Sequence, residues 1–115
     1  MANTFKVVTK AGVTSEDTIY TVAGSTTTVI LGLVLGNTTT SQTTATVTLS
    51  SNTGSRAGNN DENNQDVELI TNAPIPAGSS LEMLAGNKVV METTDLLKVT
   101  GSGATDVCLS IMEIT

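Results

Sequence analysis

The amino-acid sequence predicts an all-β protein, an antiparallel β-sandwich of jelly-roll or immunoglobulin-like type with about eight to nine short strands. Three observations support this prediction. Short segments alternate apolar and polar residues, turn-forming Gly, Asn and Ser separate these segments, and no long stretch has the helical period of about 3.6 residues. The length of 115 residues fits one domain, so we expect a single β-sandwich over residues 1–115.

The strands can be predicted one by one from their residue patterns. The segment "TATVTLS" (44–50) alternates Ala, Val and Leu with hydroxyl residues, and "DVCLSIMEI" (106–114) alternates in the same way. The segment "TVILGLVL" (28–35) is apolar on both faces, which indicates a central strand, and Gly32 inside it predicts a bulge or a close backbone approach. The remaining predicted strands are 4–9, 17–23, 66–71, 81–85, 88–93 and 96–100.

One of these segments also carries a helix signal. Ser79 lies three residues before Glu82, which is the spacing of a capping box at the start of a helix. A single helical turn in this segment is therefore an alternative. Because Gly86 and Asn87 would end that turn at once, we favour a strand.

The charge and the residue types limit the function. The formal net charge is −6 with five Lys and Arg, so a basic patch for nucleic acid is not expected. The sequence has no His and one Cys, which removes the commonest general base, the commonest metal ligand and an internal disulfide. It has no apolar run of about 18 residues and no signal-like apolar start. We therefore expect a soluble protein made in a cytoplasm, without a membrane or nucleic-acid partner.

Three features resemble chemical sites, and each has a simpler explanation. The acidic segment "NNDENNQD" (59–66) is rich in oxygen ligands, but its spacing does not fit a calcium-binding EF-hand loop. Glu92 and Asp95 are close in sequence, and we expect them in a turn where Asp95 accepts backbone hydrogen bonds. Cys108 has no His to activate it and is expected to pack as a small side chain. The sequence therefore predicts no enzyme, no catalytic residue, no metal site and no cofactor.

Threonine covers the predicted strand 44–50, where lysine or glutamate is usual. Thr suits a pleated surface through its β-branch and presents a hydroxyl to water. A face of short, uncharged side chains can lie flush against another surface with little loss of side-chain entropy. We therefore predict that Thr44, Thr46 and Thr48 contact a partner, although the same pattern also fits a strand face that is only solvated.

Two segments outside the predicted strands are also candidate contacts. We expect residues 1–4 to form a flexible arm, in which Ala2, Asn3 and Thr4 can reach a partner. We expect residues 52–65 to form a mobile polar loop that can become ordered on binding. Solvated surface is the alternative explanation for both segments.

The predicted core is poor in aromatic residues, since Phe5 and Tyr20 are the only rings. Aliphatic residues and four Met must then supply most of the burial energy, at about 1.5–3 kcal/mol for each fully buried side chain. A small domain with such a core has a narrow margin over chain entropy, and subunit association is a common remedy. We therefore expect a homo-oligomer.

Two long segments resemble a known class of proteins. The first is "PIPAGSSLEMLAGNKVVMETTDLLKVTGSGATDVCLSIMEIT" (74–115), with a Pro/Gly-Ser-Ser-Leu turn, a Gly-x-Lys-hydrophobic strand and a terminal strand ending near Met-Glu. The second is "TIYTVAGSTTTVILGLVLGNTTTSQTTATVTL" (18–49). Both are similar to small virion structural proteins of tailed bacteriophages, particularly marine cyanophages. Thr94 stands before Asp95 where many such proteins have Gly, so the type of that turn stays open.

The resemblance implies a non-enzymatic β-sandwich that is part of a virus particle. Within that class we favour a decoration (cement) protein on the capsid surface, because a small acidic protein with Thr-rich faces suits a repeated shell. Its partners would be the major capsid protein and itself, as a homotrimer, and it would be made in the host cytoplasm. The alternatives are a neck, baseplate or tail-fibre-associated module and, with less support, a carbohydrate-binding β-sandwich.

Overall fold

The computed structural model describes residues 2–51, 65–83 and 88–115, and all regular elements in these ranges are β-strands. The nine strands in these ranges are β1 (Asn3–Val13), β2 (Glu16–Thr21), β3 (Thr27–Asn37), β4 (Thr43–Ser51), β5 (Gln65–Ile75), β6 (Ser80–Met83), β7 (Val89–Met91), β8 (Leu96–Gly101) and β9 (Thr105–Ile114). The described residues contain no helix with the length and apolar content of a membrane span.

The strands form two antiparallel sheets packed as a sandwich, which confirms the predicted fold class. In the five-stranded sheet the order is β1-β9-β3-β6, and β7 also pairs with β3. In the four-stranded sheet the order is β2-β8-β4-β5. Strands β1 and β9 are neighbours although they are far apart in sequence. Just beyond them, Ala2 and Thr115 exchange two backbone hydrogen bonds of 3.1 and 2.9 Å.

The core lies between the two sheets and consists almost wholly of aliphatic side chains and Met. Alternation along each strand turns every second residue inward. In β9, for example, Leu109 and Ile111 are buried while Ser110 between them is exposed. The buried apolar residues are Val13, Val22, Ile30, Leu33, Leu35, Ala45, Val47, Ile75, Met83, Met91, Leu97, Val99, Val107, Leu109 and Ile111. Phe5 is exposed, so Tyr20 is the ring that packs against this core.

Several local features can be compared with the sequence pattern. In β3 the register with β9 shifts between Ile30 and Gly32, which confirms the bulge that the pattern predicts. Strand β1 extends beyond its predicted end to Val13 and has a register shift before that residue. Strand β5 likewise extends to Ile75 and has two register shifts against β4. The segment with the helix signal forms strand β6, as favoured from the sequence.

The turn before β8 has a conformation that usually needs glycine. Asp95 is buried, and its carboxylate accepts a hydrogen bond of 3.0 Å from the backbone N–H of Glu92, which confirms the expected turn. Thr94 has a φ of 70°, in the left-handed region that β-branched residues rarely adopt. The turn therefore has the glycine-type conformation with a β-branched residue in the strained position.

The residues at the N-terminal end take part in the sheet. Asn3 and Thr4 belong to β1, and Ala2, just before the strand, is hydrogen-bonded to Thr115, so the structure shows residues 2–4 paired with the C-terminal end instead of forming a flexible arm. The pairing of β1 with β9 extends to Asn3, and the hydrogen bonds between Ala2 and Thr115 continue it by one residue. The polar loop predicted for residues 52–65 lies outside the described residues, except for Gln65, which begins β5.

Candidate interaction surface

The outer face of the five-stranded sheet exposes a group of apolar side chains. Four of the five exposed large hydrophobic side chains among the described residues lie there: Phe5, Val7, Val34 and Val90. We call this surface the apolar face. It is formed by the outward residues of β1, β3, β7 and β9, namely Phe5, Val7, Thr9, Val29, Gly32, Val34, Val90, Cys108, Ser110 and Met112.

The register arranges these residues in rows that cross the sheet. Phe5 on β1 is opposite Met112 on β9, which is opposite Val29 on β3. Val29 is in turn opposite Val90 on β7. Four apolar side chains from four strands therefore form one continuous row. Its two ends, Phe5 and Val90, are 72% and 54% exposed.

The next row is shallower because it contains glycine. Val7, which is 63% exposed, is opposite Ser110, and Ser110 is opposite Gly32. Among the described residues, nothing lies within 4 Å of the position that a Cβ on Gly32 would occupy. The sheet surface is therefore open above Gly32, and a partner can approach the backbone there.

A shallow cavity of about 360 Å³ lies at one end of the apolar face. Its lining includes Thr9, Val34, Gly36, Asp106 and Cys108. The side chains come from three neighbouring strands, and Gly36 contributes no side chain to the floor. A cavity of this kind can accept a protruding side chain of a docked surface.

Charged groups border the apolar face and do not enter its centre. Among the described residues, the rows through Phe5 and Val7 contain no charged side chain. Glu82 is opposite Val34 at one edge, and Asp106 lies near one end of β9. An apolar centre within a polar border is the usual arrangement of a protein interface.

The predicted threonine contact lies on the outer face of the other sheet. Thr44, Thr46 and Thr48 belong to β4, which is a central strand of the four-stranded sheet. Thr48 is only 5% exposed, and the register places it between Glu68 on β5 and Lys98 on β8. The longer charged side chains flank the threonine on both sides.

The other two threonines are half-buried, and the hydroxyl of Thr46 and the backbone of Thr44 form hydrogen bonds within the molecule. The hydroxyl of Thr46 accepts a hydrogen bond of 3.0 Å from the backbone N–H of Asn72, in the bulged part of β5. The backbone N–H of Thr44 donates a hydrogen bond of 2.8 Å to Ser102 Oγ. This threonine face is therefore smaller and more charged than the sequence pattern suggests.

The predicted N-terminal contact is separate from the threonine contact. Ala2, Asn3 and Thr4 are exposed. Asn3 is opposite Ile114, so it lies at the end of the apolar face near the termini. The structure thus places Asn3 and Thr4 in the five-stranded sheet, with Ala2 just beyond it, whereas the threonines of β4 are in the four-stranded sheet.

A polar cluster joins the two sheets beside the core. The hydroxyl of Tyr20 donates a hydrogen bond of 2.5 Å to Glu113 Oε2, and it lies 2.8 Å from Thr28 Oγ1. Glu113 Oε1 lies 2.8 Å from Lys6 Nζ. Tyr20 is on β2 of the four-stranded sheet, while the other three residues belong to the five-stranded sheet. The cluster therefore connects the two layers by polar contacts.

The cluster changes the protonation behaviour of two of its members. Burial, followed by the hydrogen bond to Glu113, raises the pKa of Tyr20 to about 12. Hydrogen bonds from Lys6 and then Tyr20 hold the pKa of Glu113 below its ordinary value. At neutral pH Tyr20 is protonated and Glu113 is ionised, so neither group is poised to exchange a proton. The arrangement fits a structural tie.

The predicted chemical features can also be located. Within residues 2–51, 65–83 and 88–115, no group of three or more acidic or Cys side chains is placed to hold a metal ion. Most of the acidic segment 59–66 lies outside those ranges, and Asp66 is exposed at the start of β5. Cys108, expected to pack as a small side chain, is exposed on the apolar face.

The apolar face is not apparent from the sequence. Strand β1 has apolar residues on both sides, since Val8 faces the core while Phe5 and Val7 face outward. Alternation alone therefore does not show which side is buried. The signal appears only when β1 is paired with β9, because Phe5 and Met112 then lie side by side.

Comparison with known proteins gives little further information. No protein-family model matches this chain, and no curated protein matches it. Among solved structures, the chain is similar to one described as "Bacillus endospore appendages form a novel family of disulfide-linked pili". The identity is 16%, the TM-score is 0.45, and the match covers 96% of this chain and 85% of the other. At this level of similarity the match carries no inference about function.

Proposed function

We propose that this chain is a non-enzymatic structural protein of a virion, which decorates and stabilises the outer surface of a phage capsid. The observation that supports the proposal most directly is the apolar face, whose central rows are exposed and uncharged. A soluble protein that carries such a face usually covers it with a partner. The resemblance of segments 18–49 and 74–115 to small virion proteins gives the class of partner, which is a capsid shell.

A rigid sheet face suits binding to a repeated shell surface. The central strands β9 and β3 are paired on both sides, so their outward residues are held in place before binding. Most of these residues are Val, Ser, Cys or Gly, which lose little side-chain entropy when they are covered. Because the protein binds the intact shell and not its dissociated parts, it stabilises the shell by mass action.

The exposed ring of Phe5 bears on the carbohydrate-binding alternative. Sugar sites combine an aromatic surface with several hydrogen-bonding groups. In this molecule the neighbours of Phe5 in its row are Met112 and Val29, which are apolar. The surroundings of the ring therefore favour packing against a protein surface over binding of a sugar.

The number of copies per purified particle, relative to the major capsid protein, tests the proposal. A ratio near one, or a simple fraction of it, supports decoration of the shell. A ratio of only a few copies for every hundred capsid subunits would overturn it and would indicate a neck, baseplate or tail-fibre position. Particles stripped of the protein should also rupture at a lower temperature, and an unchanged rupture temperature would contradict a cementing role.

A further inference from the structure

In the described residues the two sheets end in four edges, and three of these edges carry features that oppose pairing with another chain. Strands β6 and β7 are four and three residues long. Strand β5 has two register shifts and contains Pro74. Strand β2 has six residues and a register shift between Thr18 and Tyr20. Short strands, bulges and proline are the means by which natural sheets prevent pairing at their edges.

The fourth edge, strand β1, lacks these features over most of its length. Its residues Asn3 to Lys10 pair with β9 one by one, and the register shifts only after Lys10. Within the described part of the chain, no strand pairs with the other side of β1. The strand also carries two exposed apolar side chains, Phe5 and Val7. Such a long, regular and partly apolar edge is suited to pairing with a further strand.

The backbone groups that face this free edge can be identified. Ala2 and Thr115 exchange both of their hydrogen bonds, and such pairs alternate with non-bonded pairs along an antiparallel ladder. The even-numbered residues of β1 therefore bond to β9. The N–H and C=O groups of Asn3, Phe5, Val7 and Thr9 point away from β9, toward the edge.

Two lysines on β1 are side chains of the kind that can protect an edge, but both are engaged within the molecule. Lys6 forms an ion pair of 2.8 Å with Glu113, and Lys10 lies 3.7 Å from Asp17. Lys6 and Lys10 also alternate with the outward residues, so they do not lie on the apolar face. Their charges are balanced by carboxylates of the same chain.

We propose that two copies of this chain associate by antiparallel pairing of their β1 strands about a two-fold axis, with Val7 opposite Val7 of the second copy. Identical strands paired in this way are self-complementary, because every contact occurs twice. In this register Phe5 lies opposite Thr9, Lys6 lies opposite Val8, and no lysine faces another lysine. The four residues with free backbone groups lie within the paired stretch, where they can bond to the second copy.

The area of the apolar face favours a second copy as the occupant of this edge. The sheet is four strands wide, because β6 and β7 pair with different parts of the same side of β3. Four strands spaced by about 4.8 Å, with about six residues each, give a face on the order of 400 Å². A stable interface usually buries about 800 Å² on each partner. One face alone is below that area, whereas two faces joined edge to edge reach about that area. The pairing thus makes one continuous apolar surface from two incomplete ones.

The mass of the purified chain in solution is the first test. Sedimentation equilibrium at increasing concentration should give a mass that approaches twice the 11.8 kDa of one chain. A mass that stays at one chain would overturn the proposal. A mass of three chains would overturn it too, and would agree with the trimer expected from the sequence.

Disulfide cross-linking tests the register, in a Cys108→Ser background that removes the native thiol. Val7→Cys places two thiols directly opposite each other across the two-fold axis, within disulfide reach. Thr9→Cys separates the same two thiols by four residue positions along the strands. Because a disulfide needs Cα atoms less than about 7 Å apart, we expect about tenfold more cross-linked dimer for Val7→Cys than for Thr9→Cys. Equal yields for the two variants, or no dimer with Val7→Cys, would refute the pairing.

Neither test involves a particle, so this proposal and the decoration of a capsid can fail separately. If the chain is a dimer but occurs in only a few copies per particle, the edge pairing stands and the decoration does not. If the chain is a monomer that covers the shell, the decoration stands and the edge pairing is overturned.

Discussion

The outer faces of the two sheets share the same backbone geometry and differ in what they expose. On the four-stranded sheet, threonine lies between charged neighbours, since Thr48 is flanked by Glu68 and Lys98. On the five-stranded sheet, the row from Phe5 to Val90 is apolar across four strands. The difference shows that a strand rich in hydroxyl residues does not by itself determine whether a sheet face is charged or apolar. The residues on the neighbouring strands decide whether a face favours water or a partner.

The largest effect should come from a charge placed on the apolar face. Ser110→Lys would put an unpaired ammonium group into the centre of the proposed contact, between Val7 and Gly32, which should weaken particle binding by on the order of 3 kcal/mol, or about 100-fold. Thr44→Lys puts the same charge on the opposite face and should leave binding nearly unchanged. Rebinding of each purified variant to stripped particles measures both. If only Thr44→Lys loses binding, the outer face of the four-stranded sheet contacts the particle and the apolar face does not.

A second variant separates the stability of the sandwich from the properties of its faces. Tyr20→Phe removes the hydroxyl that bonds to Glu113 and contacts Thr28, and it should lower the free energy of unfolding by about 1–3 kcal/mol. Urea denaturation measures this change. Thr21→Ser, at an exposed position of the same strand, should change stability by less than about 0.5 kcal/mol. If particle binding falls with Tyr20→Phe while the fold remains intact, the apolar face does not act independently of the other sheet.

The contact between the sheets can also be followed by a pH titration. Tyr20 is the only tyrosine and the sequence has no tryptophan, so phenolate absorbance reports this group alone. We expect a pKa of about 12 in the folded protein, against the ordinary value of 10.0. Because the folded state raises this pKa, the corresponding stabilisation is fully present below pH 10 and is lost as the pH rises toward 12. Glu113→Gln removes the neighbouring carboxylate and should lower the pKa of Tyr20. A native pKa of 10 would contradict the contact.

The smallest effect is expected at Thr94, which lies in the turn before β8 and outside both faces. Thr94→Gly should remove the steric strain of the left-handed conformation at this position. We expect the free energy of unfolding to rise by about 0.5–1 kcal/mol, after allowance for the greater chain entropy of Gly in the unfolded state. Asn72→Gly is the matched control, because Asn72 also has a positive φ but tolerates it better. Thermal unfolding of the unsubstituted protein and of the two variants measures the stability gained in each case, and we expect the larger gain for Thr94→Gly. Equal gains for both variants would show that strain at Thr94 is not the cause.

Local patterns in the sequence contain most of the information about the strands. Alternation within 44–50 and 106–114, and the apolar run 28–35, place three strands correctly, and Gly32 predicts the bulge in β3. The expectation of Gly before Asp95 also fits, since Thr94 adopts the conformation that Gly would take. These features depend on a few neighbouring residues, so a single segment is enough to predict them.

The candidate surface depends on residues that are distant in sequence. Thr48 appears exposed in its own strand, and only the pairing of β4 with β5 and β8 shows that Glu68 and Lys98 flank it. In the same way, Phe5 becomes part of an apolar row only through its pairing with Met112. Strand order is set by the packing of the whole domain. For this reason the sequence predicts the strands but does not show which side chains lie together on each outer face.

The pairing of β1 with β9 has a consequence for how the protein is made. Asn3 pairs with Ile114, so β1 has no place in the sheet until almost the whole described chain has left the ribosome. At a synthesis rate of about 5–20 residues per second, this interval is on the order of 5–20 s. The last strand of the four-stranded sheet ends at Gly101, so that sheet can assemble before β9 is available. All four strands of the charged, threonine-rich layer are therefore synthesised before β9, the strand on which the apolar face depends.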